Sequence, residues 1–261
     1  MLDFKHSKDQ LVRPRFRDRG IYVLPNLFTI GALFAGFYSI VQAMNGRWEH
    51  SAVAIFIAMV LDGLDGRVAR LTHTQSAFGA ELDSLSDMVS FGVAPALVMY
   101  VFALKGLGKW GWIAAFVHCA GAALRLARFN TQLEVADKRF FQGLPSPSAA
   151  ALVAGFVRVL VEYDIPGPEV AWLAFALTLF TGVTMVTNLK FYSGKEINLR
   201  KSVPFFVVLL MVLFFILVSM SPPEVLFLLF LAYGLSGYVY TTWNWMKQRK
   251  SAAQGLPDGQ K

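Results

Sequence analysis

The chain has a single cysteine, Cys119, among 261 residues. That excludes an internal disulfide framework and leaves the redox compartment open. Charge is equally sparse: 16% of residues are charged and 56% are hydrophobic, with a mean hydropathy of +0.50. A soluble domain carries about 25% charged residues, so an ordinary soluble enzyme is excluded and an integral membrane protein is indicated. Of the four histidines, His73 and His118 lack partners at zinc-ligand spacing and read as structural. The first 20 residues lack the apolar core of a signal peptide; they carry Lys5, Lys8, Arg13, Arg15, Arg17 and Arg19. Neither an internal repeat nor a soluble domain is visible.

What is present is a series of apolar runs. Apolar length and breakers predict an all-α, polytopic transmembrane bundle of eight spans, near 23–44, 50–66, 80–104, 110–128, 147–162, 168–187, 203–220 and 224–245. Segments 1–22 and 247–261 are then a basic interfacial segment and a tail. The catalytic core falls in 23–200, and two further spans in 201–246. The first segment lies on the membrane surface with Leu2, Phe4, Leu11, Val12 and Phe16 dipping in, or is a disordered positive tail. With the N-terminus inside, 20 of the 24 Lys and Arg fall on the cytoplasmic side. Both termini are therefore expected in the cytoplasm of a multi-pass inner-membrane protein. The net charge of +7 then reflects orientation and contact with anionic membrane lipids, with no nucleic-acid partner. Tyr238, Tyr240, Trp243 and Trp245 form an interfacial anchor at the last exit.

One stretch breaks the apolar pattern. "LDGLDGRVARLTHTQSAFGAELDSLSDMVS", residues 61–90, sits between two greasy runs and holds Asp62, Asp65, Glu81, Asp83 and Asp87. Asp62 and Asp65 are three apart at the end of one helix; Gly79, Asp83 and Asp87 are four apart at the start of the next. Folding the helices together through Thr72–Ser76 makes four carboxylates converge, with Glu81 off the shared face. Unpaired, they repel; divalent cations relieve this, and two ions suit phosphate chemistry. Gly66, Ala69 and Gly79 leave room for close approach to the backbone, and Arg70 offers a fork for phosphate. The alternative is a solvated loop whose acids pair with Arg67 and Arg70. A cation transporter would want acids near mid-membrane, whereas these lie near a cytoplasmic boundary.

The spaced pattern Asp62-Gly-Leu-Asp65-Gly66-Arg-Val-Ala69-Arg70, eight residues, Gly79, three, Asp83, three, Asp87 resembles the signature of the CDP-alcohol phosphatidyltransferases. Intramembrane prenyltransferases also use aspartates with magnesium, but lack the Gly66, Ala69, Arg70 and Gly79 frame. The resemblance implies transfer of a phosphatidyl group from CDP-diacylglycerol to an alcohol, releasing CMP, with two Mg2+ or Mn2+ ions. It implies Asp62, Asp65 and Asp83 as metal ligands, and Asp87 as a further ligand and general base. It also places Gly66, Ala69, Arg70 and Gly79 at the cytidine diphosphate, and it implies a homodimer.

"RLARFN" (125–130), "FFQGLPSPSAA" (140–150) and "FYSGKEI" (191–197) resemble the membrane-embedded bacterial phosphatidylserine synthases. This implies L-serine as the acceptor. The other acceptors to weigh are glycerol 3-phosphate, inositol phosphate, choline or a second phospholipid. Serine carries a carboxylate, so its pocket should offer a cation. Arg125 and Arg128 come first, with Asn130, Lys138, Arg139 and Lys195 as further candidates; each could instead be a positive-inside anchor. Asn26 and Thr29 in "PNLFT" either face the nucleotide or belong to a helix start set by Pro25. No Ser, His or Cys stands out as a nucleophile, so direct attack of the alcohol is expected.

Overall fold

The structure, a computed structural model, describes residues 16–131, 140–193 and 205–253. The expected interfacial segment up to residue 15, Lys138, Arg139, Lys195 and the end of the tail lie outside these residues. The described chain is almost wholly helical. In order it forms α1 (Phe16–Met44), α2 (Trp48–Leu71), α3 (Ala77–Asp87), α4 (Ala94–Met99), α5 (Lys109–Thr131), α6 (Ser146–Glu162), α7 (Ala171–Val186), α8 (Phe205–Met220) and α9 (Pro222–Ala253). One antiparallel sheet, unforeseen from the sequence, pairs β1 (Phe140–Gln142) with β2 (Lys190–Tyr192), with Phe141 opposite Phe191.

Five helical stretches among the described residues are long and apolar enough to cross a membrane: Leu24–Met44, Ala77–Leu107, Lys109–Thr131, Gly167–Val186 and Pro222–Lys247. The other three expected spans coincide with helices that fall short of this standard. α2 carries Asp62, Asp65, Arg67 and Arg70 in its second half, α6 has 17 residues and α8 has 16. About 20 apolar residues are needed for a full crossing.

The Ala77–Leu107 stretch is not one regular helix. A π-helical turn, Met88–Val93, follows Asp87, and a second, Tyr100–Leu104, follows α4. Such turns rotate the side chains beyond them and concentrate at functional sites. Fully buried His118 from α5 braces the first: one ring nitrogen lies 3.2 Å from the Phe91 carbonyl oxygen, the other 2.8 Å from Thr181 Oγ1. His118 is thus structural, as expected.

Packing rests on small residues. α1 lies along α2, α5 along α7, and α6 between α2 and α9. Ala32, Ala35, Ala52, Ala58, Ala150 and Ala154 are all buried in one core cluster. Large apolar side chains such as Phe34, Phe116 and Trp172 face outward. This inside-out distribution belongs to a bundle whose solvent is lipid, where close backbone approach replaces hydrophobic drive. At the α5–α7 crossing a Cβ on Gly121 would strike the Gly182 carbonyl, and one on Gly182 would strike the His118 backbone.

Backbone cannot retreat as a side chain can. Gly182→Val should therefore destabilise the detergent-solubilised protein by about 1–3 kcal/mol or prevent its folding. Gly106→Ala, with open space around it, should leave the thermal midpoint unchanged. Thermal unfolding of both variants checks this.

Candidate functional site

The site begins in the turn between α2 and α3. Thr72 ends α2, and its hydroxyl donates to the Val68 carbonyl at 2.8 Å. Thr74 N–H returns to the Ala69 carbonyl at 3.0 Å, and His73 between them has a positive φ of 55°. Ser76 caps α3 by accepting a hydrogen bond from Gly79 N–H at 3.0 Å. This tight reversal turns α3 back toward the end of α2, and both helices pack on α1, which brings their acidic stripes to one side.

Asp62, Asp83 and Asp87 each present a carboxylate oxygen within 4.8 Å of the other two. Asp62 is within hydrogen-bond range of both Asp83 and Asp87, and Asp83 also reaches Asp65. Asp65 stands beside this trio and not within it. It is buried and accepts a 2.7 Å hydrogen bond from Thr29 Oγ1 of α1.

Three carboxylates this close repel one another unless protonated or neutralised. A buried oxygen, Asp83 Oδ1, has no hydrogen-bond partner. An orphaned buried oxygen among clustered carboxylates fits the hard-oxygen donor set that divalent cations require. Two cations are near: Arg125 is within electrostatic range of Asp87 and Asp62, and Arg70 of Asp65.

A cavity of about 530 Å³ opens beside the cluster. Asp65, Asp83 and Asp87 form its acidic wall; Gly66, Ala69, Arg70 and Gly79 line it, as do Asn26 and Thr29 from α1. A Cβ on Gly79 would lie 3.3 Å from Asn26 Oδ1, so this glycine brings α3 close to α1. A larger groove of about 740 Å³ runs between α1 and α2 past Gly31, Phe34, Val53 and Ile57. It is mostly apolar, with Tyr38, Glu49 and His50 as its polar side chains, and contains no Lys or Arg.

The basic candidates separate. Asn130 lines the cavity and donates to Ser84 Oγ at 2.9 Å. Arg125 Nη1 donates to Ser146 Oγ at 2.6 Å, beside the aspartates. Arg128 points elsewhere: it donates to the Val186 carbonyl at 2.7 Å, the Thr187 carbonyl at 3.4 Å and Asn188 Oδ1 at 3.2 Å, capping the end of α7. Sequence reasoning passed over Ser84 and Ser146. Ser146 lies inside the quoted "PSPS" stretch but carried no chemistry of its own there. Ser84 adjoins Asp83 but is off the Gly79-Asp83-Asp87 stripe.

A family model described as CDP-alcohol phosphatidyltransferase matches residues 22–184. A CDP-diacylglycerol–serine O-phosphatidyltransferase of Helicobacter pylori strain J99 is 36% identical over 225 residues, covering 84% of this chain and 92% of the relative. The protein of that name from Mycobacterium bovis is 36% identical over 187 residues, covering 68% and 64%. The one from Methanocaldococcus jannaschii is 40% identical over 137 residues, covering 52% and 61%.

Thr29 gives this geometry a direct test. Thr29→Val removes its hydrogen bond to Asp65 and should weaken Mn2+ binding to the lipid-free protein at least about tenfold, measured by calorimetry. Thr29→Ser should retain the affinity. Equal affinity in Thr29→Val would show that the Thr29 hydrogen bond gives no support to cation binding at the aspartates.

Proposed function

Because the chain belongs to the CDP-alcohol phosphatidyltransferase family, we propose that it transfers the phosphatidyl group of CDP-diacylglycerol to L-serine, giving phosphatidylserine and CMP. The observation that carries the chemistry is the meeting of Asp62, Asp83 and Asp87, with an orphaned oxygen on Asp83, beside a cavity lined by glycine, arginine and carboxylate.

Asp62, Asp65, Asp83 and Asp87 would hold two divalent ions, Mg2+ or Mn2+. When bound, these supply charge neutralisation for the diphosphate and for CMP as it leaves. Gly66, Ala69 and Gly79 let the nucleotide approach the backbone, and Arg70 presents its fork to a phosphate. Asn26 and Thr29 close the α1 side. Asp87 accepts the proton of the serine hydroxyl as its oxygen attacks the lipid-proximal phosphorus. The serine O–P bond forms, the bond from phosphorus to the CMP oxygen breaks, and CMP leaves with the electron pair. Arg125 meets the serine carboxylate, with Asn130 beside it. Arg128, engaged with the α7 carbonyls, acts at one remove by fixing that helix end. Lys195 is a further candidate outside the described residues.

The reading extends to the membrane. We place α2, α6 and α8 as crossings alongside the five long apolar stretches, giving eight, with both termini and the site on the cytoplasmic side of the inner membrane. The distribution of Lys and Arg supports this orientation. Residues 23–200 form the catalytic core, and 201–246 add two spans. The family resemblance supports a homodimer.

The test is CMP release by purified protein in detergent with CDP-diacylglycerol, Mn2+ and a panel of alcohols. Serine-dependent release is expected, falling roughly 100- to 10,000-fold in a folded Asp87→Asn variant. Release with glycerol 3-phosphate alone would move the protein to a sister activity. Cation flux without CMP release would end the enzyme reading.

A further inference from the structure

Arg125 occupies an unusual position. It projects from α5 beside two aspartates, where a guanidinium would ordinarily fold onto a carboxylate in a bidentate pair. Instead its Nη1 is drawn off by Ser146 Oγ at 2.6 Å. Ser146 is fully buried and is the first residue of α6, three residues beyond Gly143. Gly143 has a φ of +76°, and a Cβ there would strike the Met185 carbonyl, so this turn accepts only glycine without strain. Gly143 N–H donates to the Leu189 carbonyl at 2.9 Å and Leu144 N–H to the Thr184 carbonyl at 3.1 Å. The turn that leads into Ser146 is therefore fixed by backbone.

A third group comes near the same guanidinium from the last helix. Tyr233 of α9 lies within electrostatic range of Arg125. Its hydroxyl donates to the Tyr192 carbonyl of β2 at 3.2 Å, and its ring rests against Phe191 with centroids 5.7 Å apart. The small sheet thus joins α6, which carries Ser146, to α9, which carries Tyr233. Arg125 is bonded to Ser146 and lies within electrostatic range of Tyr233, Asp87 and Asp62.

We propose that Ser146 and Tyr233 are positioning residues that set acceptor specificity by holding the Arg125 guanidinium off the aspartates and open to an incoming carboxylate. The inference rests on the reading above that serine is the acceptor and Arg125 its carboxylate partner. It also gives the last helix a part in the reaction: α9 completes the acceptor side of the site as well as covering α6. An acceptor lacking a carboxylate gains nothing from the arrangement.

Steady-state kinetics of Ser146→Ala and Tyr233→Phe, each removing one hydroxyl, test the proposal. The KM for L-serine should rise roughly tenfold in Ser146→Ala, as expected for losing a charged hydrogen bond, and should rise severalfold in Tyr233→Phe, which acts on Arg125 without a direct bond. The KM for CDP-diacylglycerol and kcat at saturating serine should stay unchanged. Tyr238→Phe, on the same helix but bonded to Thr184, should behave as wild type. An unchanged serine KM, or a parallel rise in both KM values, would overturn the proposal; the second pattern is general loosening. Should Ser146→Ala not remain monodisperse in detergent, Tyr233→Phe decides alone. A wild-type protein whose CMP release ignores serine would instead defeat the parent reading.

Discussion

The mutual repulsion of carboxylates crowded at two facing helix ends is the constraint around which this fold is arranged. Asp62 and Asp65 arrive on α2; Asp83 and Asp87 arrive on α3, after a reversal of only five residues. At the edge of hydrocarbon, water cannot screen such a cluster well, and each acid costs free energy that something must offset. Among the described residues, Thr29 and the Gly66 N–H bond Asp65, Arg70 lies within electrostatic range of it, and Arg125 lies within range of Asp62 and Asp87. That is little compensation for four acids, and Asp83 Oδ1 is left without a partner. A site so underpaired by its own protein is built for cationic guests.

Holding the acids in place falls largely to α1. Ser86 Oγ donates to the Thr29 carbonyl and Ser90 Oγ to the Ala32 carbonyl, both at 3.0 Å. Gly36 lies so close to Ser90 that no side chain fits between them. Asp83, Ser86, Asp87 and Ser90 fall on one helical face, so the stripe that presents the acids also fastens their helix to α1. The π-helical turn beginning at Met88 then lets the chain continue into the core on a different face. The same α1 carries Thr29 to Asp65 and Asn26 to Gly79. One helix thereby sets the position of both acidic pairs.

The acidic stripes were legible in the sequence because helical spacing is local: three and four residues apart means one face, whatever the rest of the chain does. Thr29 and Asp65 are 36 residues apart, and no local pattern announces that they touch. The same holds for Arg128, which looked like the twin of Arg125 but turns to carbonyls 58 to 60 residues onward. Spacing of three put both arginines near one depth; it could not say which helix end each would meet. The β1–β2 sheet was hidden because three-residue strands carry no alternation to read. Helix content and order were legible from apolar runs. Full crossing was less so for α2, whose acids count against it, and for α6 and α8, which are short.

Tyr233 of α9 lies within electrostatic range of Arg125, and its hydroxyl bonds the small sheet. Two metal ions bridging α2 and α3 remain the central claim. It is tested most directly by electron paramagnetic resonance of the lipid-free wild-type protein titrated with Mn2+. The account predicts that the saturated spectrum shows two exchange-coupled ions per chain, and that Asp83→Asn loses the coupling. A saturated spectrum of isolated, uncoupled Mn2+ would contradict it.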